Sequence, residues 1–157
     1  MRLGITGHRG LSAEVAVRVR VLLREAVTGY DPAHLVGVSC LADGPDAWFA
    51  EAVLARGGRL EAVVPAAEYR DGLPAAHHPL YDRLLGQAVC VHGTGLTASD
   101  PQAHMASGEL LVGLVDELLA VWDGRPARGV GGTADVAACA RHQGVPVRVL
   151  WPEGARR

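Results

Sequence analysis

Two rhythms of apolar residues alternate along this chain of 157 residues. Short runs rich in Val, Ile and Leu recur at Arg2–Thr6, Leu35–Ser39, Arg59–Val64, Ala88–His92, Glu117–Trp122 and Val145–Trp151. Longer runs rich in Ala and Leu separate them, which is the pattern of βαβ units around a parallel sheet. One run is ambiguous. "VAVRVRV" from Val15 to Val21 alternates as a strand would, yet Ser12 suits a helix N-cap. Val15, Val19, Leu22, Leu23 and Ala26 then share one helical face ending before Gly29, and the length decides for a helix. Pro45, after Gly44, takes the first position of a helix to Arg56 that Gly57 and Gly58 stop. Asp100 and Pro101 open another reaching about Val115, and Thr133 begins one that feeds the last strand.

These elements predict an α/β class, a doubly wound, mostly parallel sheet with helices on both faces, as a single domain over residues 1–152. Residues 153–157, "EGARR", read as a frayed tail. Ala66 to Gly86 breaks the rhythm with Asp71-Gly72, Pro74, His77-His78 and Pro79 before a short helical "LYDRLL". It reads either as a lid or as an ordinary surface connection.

Composition narrows the function classes. At 49% hydrophobic residues, a chain of this size buries roughly two-thirds of its unfolded surface. No apolar run approaches the ~18 residues of a membrane span, and the strand-like start "MRLGITG" leaves a soluble cytoplasmic protein as the expectation. Cys40, Cys90 and Cys139 are odd in number and lack C-x-x-C spacing, so neither a disulfide framework nor a structural zinc site is expected. His77, His78, His92 and His104 form no i, i+4 pair, and no metal is assigned. The formal charge is −2, with 15 arginines, no lysine and no dense basic stretch, which disfavours nucleic acid as a partner.

In a doubly wound sheet, ligands bind outside the carboxyl ends of the strands, where the strand order reverses. Three segments follow predicted strands and should meet there: Thr6–Gly10, Ser39–Asp46 and Trp122–Asp135. Gly7 permits a close backbone approach, and Thr6, His8 and Arg9 add a hydroxyl, an imidazole and a guanidinium that suit an anion. Gly44 precedes a helix whose free N–H groups point toward the same edge; Asp43 serves either as its N-cap or as an acceptor for a ribose hydroxyl. Gly131 and Gly132 bare the backbone, Thr133 offers a hydroxyl and the helix dipole favours an anion. Without a lysine this turn is not the P-loop of an ATPase or GTPase. Trp122 stacks on a base or belongs to the core, and Asp123 follows it at the binding edge. A nucleotide is the expected ligand, with no cofactor required.

The stretches "GITGHRG", "SCLADGPDAWFAEAV", "AHMASGELLVGLVDELLAVWDG" and "GGTADVAACARHQGVPVRVLWP" together resemble the SLOG superfamily of Rossmann-like nucleotide-binding proteins. That group includes the Smf/DprA core, the LOG phosphoribohydrolases, and YpsA-like or molybdenum-cofactor-carrier-like small members. Ser39–Asp46 is similar to the S-G-x-A-x-G-x-D turn of the DNA-processing group, and Gly131–Asp135 to the P-G-G-x-G-T-x-x-E turn of the LOG group. The resemblance implies a Rossmann-like nucleotide-binding domain acting as a sensor or carrier. A LOG-like hydrolase of nucleoside monophosphates is the alternative, and a DNA-processing role the third reading. LOG enzymes carry an arginine on the helix before the fifth strand and glutamates after the glycine turn, whereas this chain has His104, Met105, Ser107 and Glu109, then Asp135. If catalysis remains, Asp135 or Glu109 would stabilise the ribosyl centre or activate water; otherwise Asp135 serves the first turn of its helix. LOG proteins pair through a helix, and the two apolar sides of the helix from Asp100 to Val115, carrying Met105, Leu110, Leu111, Leu114 and Val115, suggest a homodimer.

Overall fold

The computed structural model describes residues 1–127 and 130–157. Its strands are β1 (Arg2–Gly7), β2 (Val36–Ser39), β3 (Arg59–Val64), β4 (Cys90–Gly93), β5 (Glu117–Val121) and β6 (Val147–Val149). They form a sheet in the order β4-β3-β2-β1-β5-β6, with every pairing parallel. The chain therefore walks outward from β1 to β4, then returns to lay β5 on the other side of β1. The strand order reverses between β1 and β5.

The connecting helices are α1 (Ala13–Thr28), α2 (Pro45–Arg56), α3 (His78–Gln87), α4 (Pro101–Gly113) and α5 (Thr133–His142). On one face, Val15, Val19 and Leu23 of α1 and Phe49 and Val53 of α2 pack on Leu3, Ile5, Leu119 and Val121. Tyr81 and Leu84 of α3 extend that layer over Leu60 and Ala62. On the other face, Leu111 and Val112 of α4 and Val136 and Ala140 of α5 cover Val38, Val63 and Leu118. This is the doubly wound α/β arrangement expected. No helix among the described residues is long and apolar enough to cross a membrane.

Local chemistry explains the elements. The Ser12 hydroxyl accepts the Val15 amide at 3.3 Å and caps α1. Val15 and Val19 are buried there while Val17 and Val21 are exposed, so the apparent strand alternation is one helical face plus two valines in water. Gly37 of β2 lets α2 lie close: a Cβ there would sit 2.7 Å from Val53 Cγ2 and 3.1 Å from Phe49 Cε1.

The Ala66–Gly86 segment is more than a plain surface connection: it buries Ala66, Tyr69, Leu73, His77, Tyr81 and Leu84, brings Tyr69 to the cavity described below, and its helix begins at His78. The last residues make specific contacts. Arg18 donates to the Glu153 carbonyl at 2.8 Å, the Trp151 indole N–H donates to the Ala155 carbonyl at 3.0 Å, and Arg157 pairs with Asp123 at 3.1 Å. The second apolar side of α4 lies against α5, where a Cβ on Gly108 would meet Val136 Cγ2 at 2.8 Å. Met105, Leu110 and Leu114 remain half-buried along it.

The tight seat at Gly37 yields a prediction. Gly37→Ala forces Phe49 or Val53 to give way and lowers stability by about 1–3 kcal/mol, read as a lower urea midpoint. Gly113→Ala, where an added Cβ meets nothing within 4 Å, leaves the midpoint unchanged or raises it.

Candidate functional site

The carboxyl ends of β1, β2 and β3 meet the starts of α2, α4 and α5 around a cavity of about 240 Å³. It lies at the strand-order reversal, where an open parallel sheet leaves a crevice between diverging connections. Thr6, Gly7, His8 and Arg9, then Cys40, Ala42 and Asp46, then Gly131, Gly132 and Thr133 line it, so all three predicted segments come together here. Arg128 and Gly129 of the third lie outside the described residues.

The glycine turn works differently from the expectation. The residue with positive φ is Gly131, at 84°, and a Cβ on it would come within 3.0 Å of the Met105 amide nitrogen and the Pro101 carbonyl. The turn thus nestles against the first turn of α4. Gly132 is the N-cap of α5, with φ −72° and ψ 174°, a conformation open to any residue, and it brings no side chain to satisfy the first amides of the helix. The Asp135 carboxylate accepts the Gly131 amide at 3.0 Å, which holds the turn in shape.

Gly7 earns its place by packing. A Cβ there would lie 2.8 Å from Pro45 Cβ and 3.0 Å from Val121 Cβ, so β1 ends flush against the start of α2. Beyond it, Arg9 Nε donates to Asp43 at 3.0 Å, and the guanidinium remains partly exposed at the mouth of the cavity. Asp43 is therefore the counter-ion of Arg9, while the N-cap of α2 is Gly44, with φ 97°. Ser39 is fully buried and binds its own loop: its hydroxyl donates to the Asp46 carbonyl at 2.9 Å and accepts the Leu41 amide at 3.0 Å.

That loop holds Leu41 at φ 60°, a backbone region costly for a branched side chain. His77 Nε2 bonds the Leu41 carbonyl at 2.9 Å and helps hold it there. The loop delivers Cys40, Ala42 and Asp46 to the cavity. Burial pushes the Asp46 carboxyl up to about 7, against the pull of the Ala42 amide and the Arg9 charge. Opposite stand Tyr69 and His104, whose rings meet edge to face at 6.0 Å. Burial first, then the Arg9 charge, lower the His104 imidazole below its ordinary value, so the ring is neutral at pH 7. The cavity thus joins one cation at its mouth, a helix N-terminus, and a carboxyl group that exchanges its proton near neutral pH.

Other predicted residues face elsewhere. Glu109 is exposed on α4. The Trp122 indole N–H donates to the Arg125 carbonyl at 2.7 Å, and Arg141 stacks over its ring at 5.6 Å. Asp123 accepts from His8 at 3.2 Å and opens with Arg157 and Trp151 onto a separate hollow. His8 also meets the Trp151 ring edge-on at 5.7 Å. Cys40, Asp46, Tyr69, His104 and Ser107 complete the cavity without having been assigned to it from sequence.

No family model matches the chain, and no curated protein does. Solved structures do. DNA processing protein A from Streptococcus pneumoniae superposes with a TM-score of 0.68 at 22% identity, over 94% of this chain and 49% of that one. The Helicobacter pylori protein of the same name, described for its single-stranded DNA binding mode, gives 0.69 at 18%, over 100% of this chain and 66% of that one. The molybdenum cofactor binding protein of Rippkaea orientalis gives 0.58 at 16%, over 97% and 77% respectively. What they share with this chain is the doubly wound, Rossmann-like α/β fold. This chain spans about half the length of the pneumococcal protein. At these identities the likeness establishes the fold alone, and the chemistry of the cavity must be argued from its own residues.

Asp46 gives a test. Its folded value of about 7 lies above the ordinary 3.8, so its stabilising contribution is complete below pH 3.8 and is lost as the pH rises through 7. Asp46→Asn carries no such dependence. The stability of the variant relative to the parent should rise between pH 4 and 7 by on the order of 4 kcal/mol and then level off. Unfolding midpoints across that range provide the check.

Proposed function

We propose that the cavity binds a nucleotide or nucleotide-derived ligand, its phosphate at Gly131, Gly132 and Thr133 with Arg9 closing the opposite side. The observation carrying this reading is that the uncapped start of α5 and the partly exposed guanidinium line one cavity at the strand-order reversal. The first amides of a helix and its dipole, equivalent to roughly half a positive charge, favour an anion. The phosphate takes a share of Arg9 from Asp43. Tyr69 and His104 offer an aromatic wall to the sugar or base. The molybdenum cofactor proteins among the structural neighbours support a sensor or carrier of a small ligand.

Two other readings have specific support. Asp46 sets a titrating carboxyl group inside the cavity, which favours LOG-like cleavage of an N-glycosidic bond, with Asp46 in the role considered above for Asp135 or Glu109. The DNA processing neighbours favour a single-stranded DNA ligand.

Calorimetric titration with AMP, GMP and a short oligothymidylate separates them. A mononucleotide should bind, the oligothymidylate should not, and saturation at 100 times Kd should add about 2.7 kcal/mol of stability. Gly132→Val, which the backbone tolerates, should weaken mononucleotide binding at least about tenfold, the effect of ~1.4 kcal/mol, with the fold retained. Unchanged affinity would remove this turn as the phosphate site. Prolonged incubation with AMP should release no adenine; release that Asp46→Asn abolishes would replace the binder with the hydrolase.

A further inference from the structure

On the sheet face that carries α4 and α5, the far end of the sheet is open. Glu61 of β3 is in register with Cys90 of the edge strand β4. The two-residue repeat of a strand puts His92 on the same face as Cys90. The three ligand atoms lie within 4.8 Å of one another, with Cys90 exposed and the other two half-buried. His92 Nε2 already meets Glu61 Oε1 at 2.7 Å. Behind them Arg2 donates to Glu61 Oε2 at 2.9 Å and to Oε1 at 2.8 Å, fixing the plane of the carboxylate.

We propose that Glu61, Cys90 and His92 form a binding site for a divalent cation of the zinc class. Thiolate, imidazole and carboxylate are the ligands such a cation takes, at bond lengths of about 2.0–2.3 Å, which keep tetrahedral ligand atoms about 3.3–3.8 Å apart. Reaching that spacing asks for the exposed Cys90 side chain to turn inward, for His92 to draw back slightly from Glu61, and for Arg2 to release Oε1 while keeping its bond to Oε2. Glu61 Oε1 takes the cation while Oε2 stays on Arg2, the outer-shell hydrogen bond that orients a ligating carboxylate. Cys90 gives its thiol proton to solvent as the sulfur–metal bond forms, and His92 carries its remaining proton on Nδ1. Water fills the fourth position from the open face. The cation would clamp the four-residue edge strand to β3. It does not involve the nucleotide cavity. The spacing rules for sequences miss such a site because Glu61 and His92 stand 31 residues apart and meet only through strand pairing.

The test is a titration of the chelator-treated full chain with Co²⁺, which reports thiolate ligation by a near-ultraviolet charge-transfer band. One equivalent should bind with that band, and Zn²⁺ should displace it and raise the thermal midpoint. Cys90→Ser, a change at an exposed position, should abolish the band, and His92→Ala should weaken binding at least about tenfold, each with an unaltered far-ultraviolet circular dichroism spectrum. Absence of the band in the parent chain overturns the proposal. So does a band that survives Cys90→Ser, which would trace to Cys40 or Cys139, or an affinity indifferent to His92→Ala.

Discussion

The seating of β1 between β2 and β5, with Gly7 pressed on Pro45, is the constraint from which the rest of the site follows. Because no Cβ intervenes, the strand runs flush into the start of α2, and the His8 amide extends the ladder to the Val121 carbonyl at 3.1 Å. The turn after β1 is thereby held among the starts of α2 and α5. His8, Asp123 and Arg157 buttress it from below. Their contacts support the floor, so the polar residues on that side serve the shape of the cavity.

Beside this rigid turn stands a strained one. Leu41 keeps a left-handed backbone, a cost of about 1–3 kcal/mol, because its side chain is fully buried and its neighbours Ser39 and His77 take up its amide and carbonyl. The strain bends the chain so that Cys40 and Asp46 reach the cavity. Burial raises both groups, the thiol and the carboxyl, above their ordinary values. The cavity therefore pairs a fixed cation at its mouth with interior groups that resist ionisation.

Much of this was legible in the sequence, for definite reasons. Parallel strands buried on both faces announce themselves as dense apolar runs, so β1 and β3 were located to within a residue. At β6 the pairing stops at Val149, although the apolar run continues to Trp151, because Trp151 turns toward His8 and the tail. The small residues after β1 and β2 and before α5 lie at the cavity edge. Trp122 and Asp123 lie outside its lining, since a side chain's direction depends on its partners, and those of Asp123 are His8 and, at the far end of the chain, Arg157. Tyr69 and His104 were out of reach for the same reason: only folding brings the irregular segment beside α4. Asp46 stood in the quoted turn, yet an acid in the first turn of a helix ordinarily serves the dipole, and nothing local signals that it will be enclosed.

The Arg9–Asp43 pair carries one more consequence, in ionic strength. A polyanion held in a basic groove releases many condensed counterions, and its affinity falls steeply with added salt. Here the guanidinium at the mouth is already neutralised by a neighbouring carboxylate, and the helix amides carry no mobile ions to shed. Exchange of one anionic partner for another leaves the small-ion atmosphere nearly unchanged, so a ligand bound in this way keeps most of its affinity from dilute buffer to physiological saline.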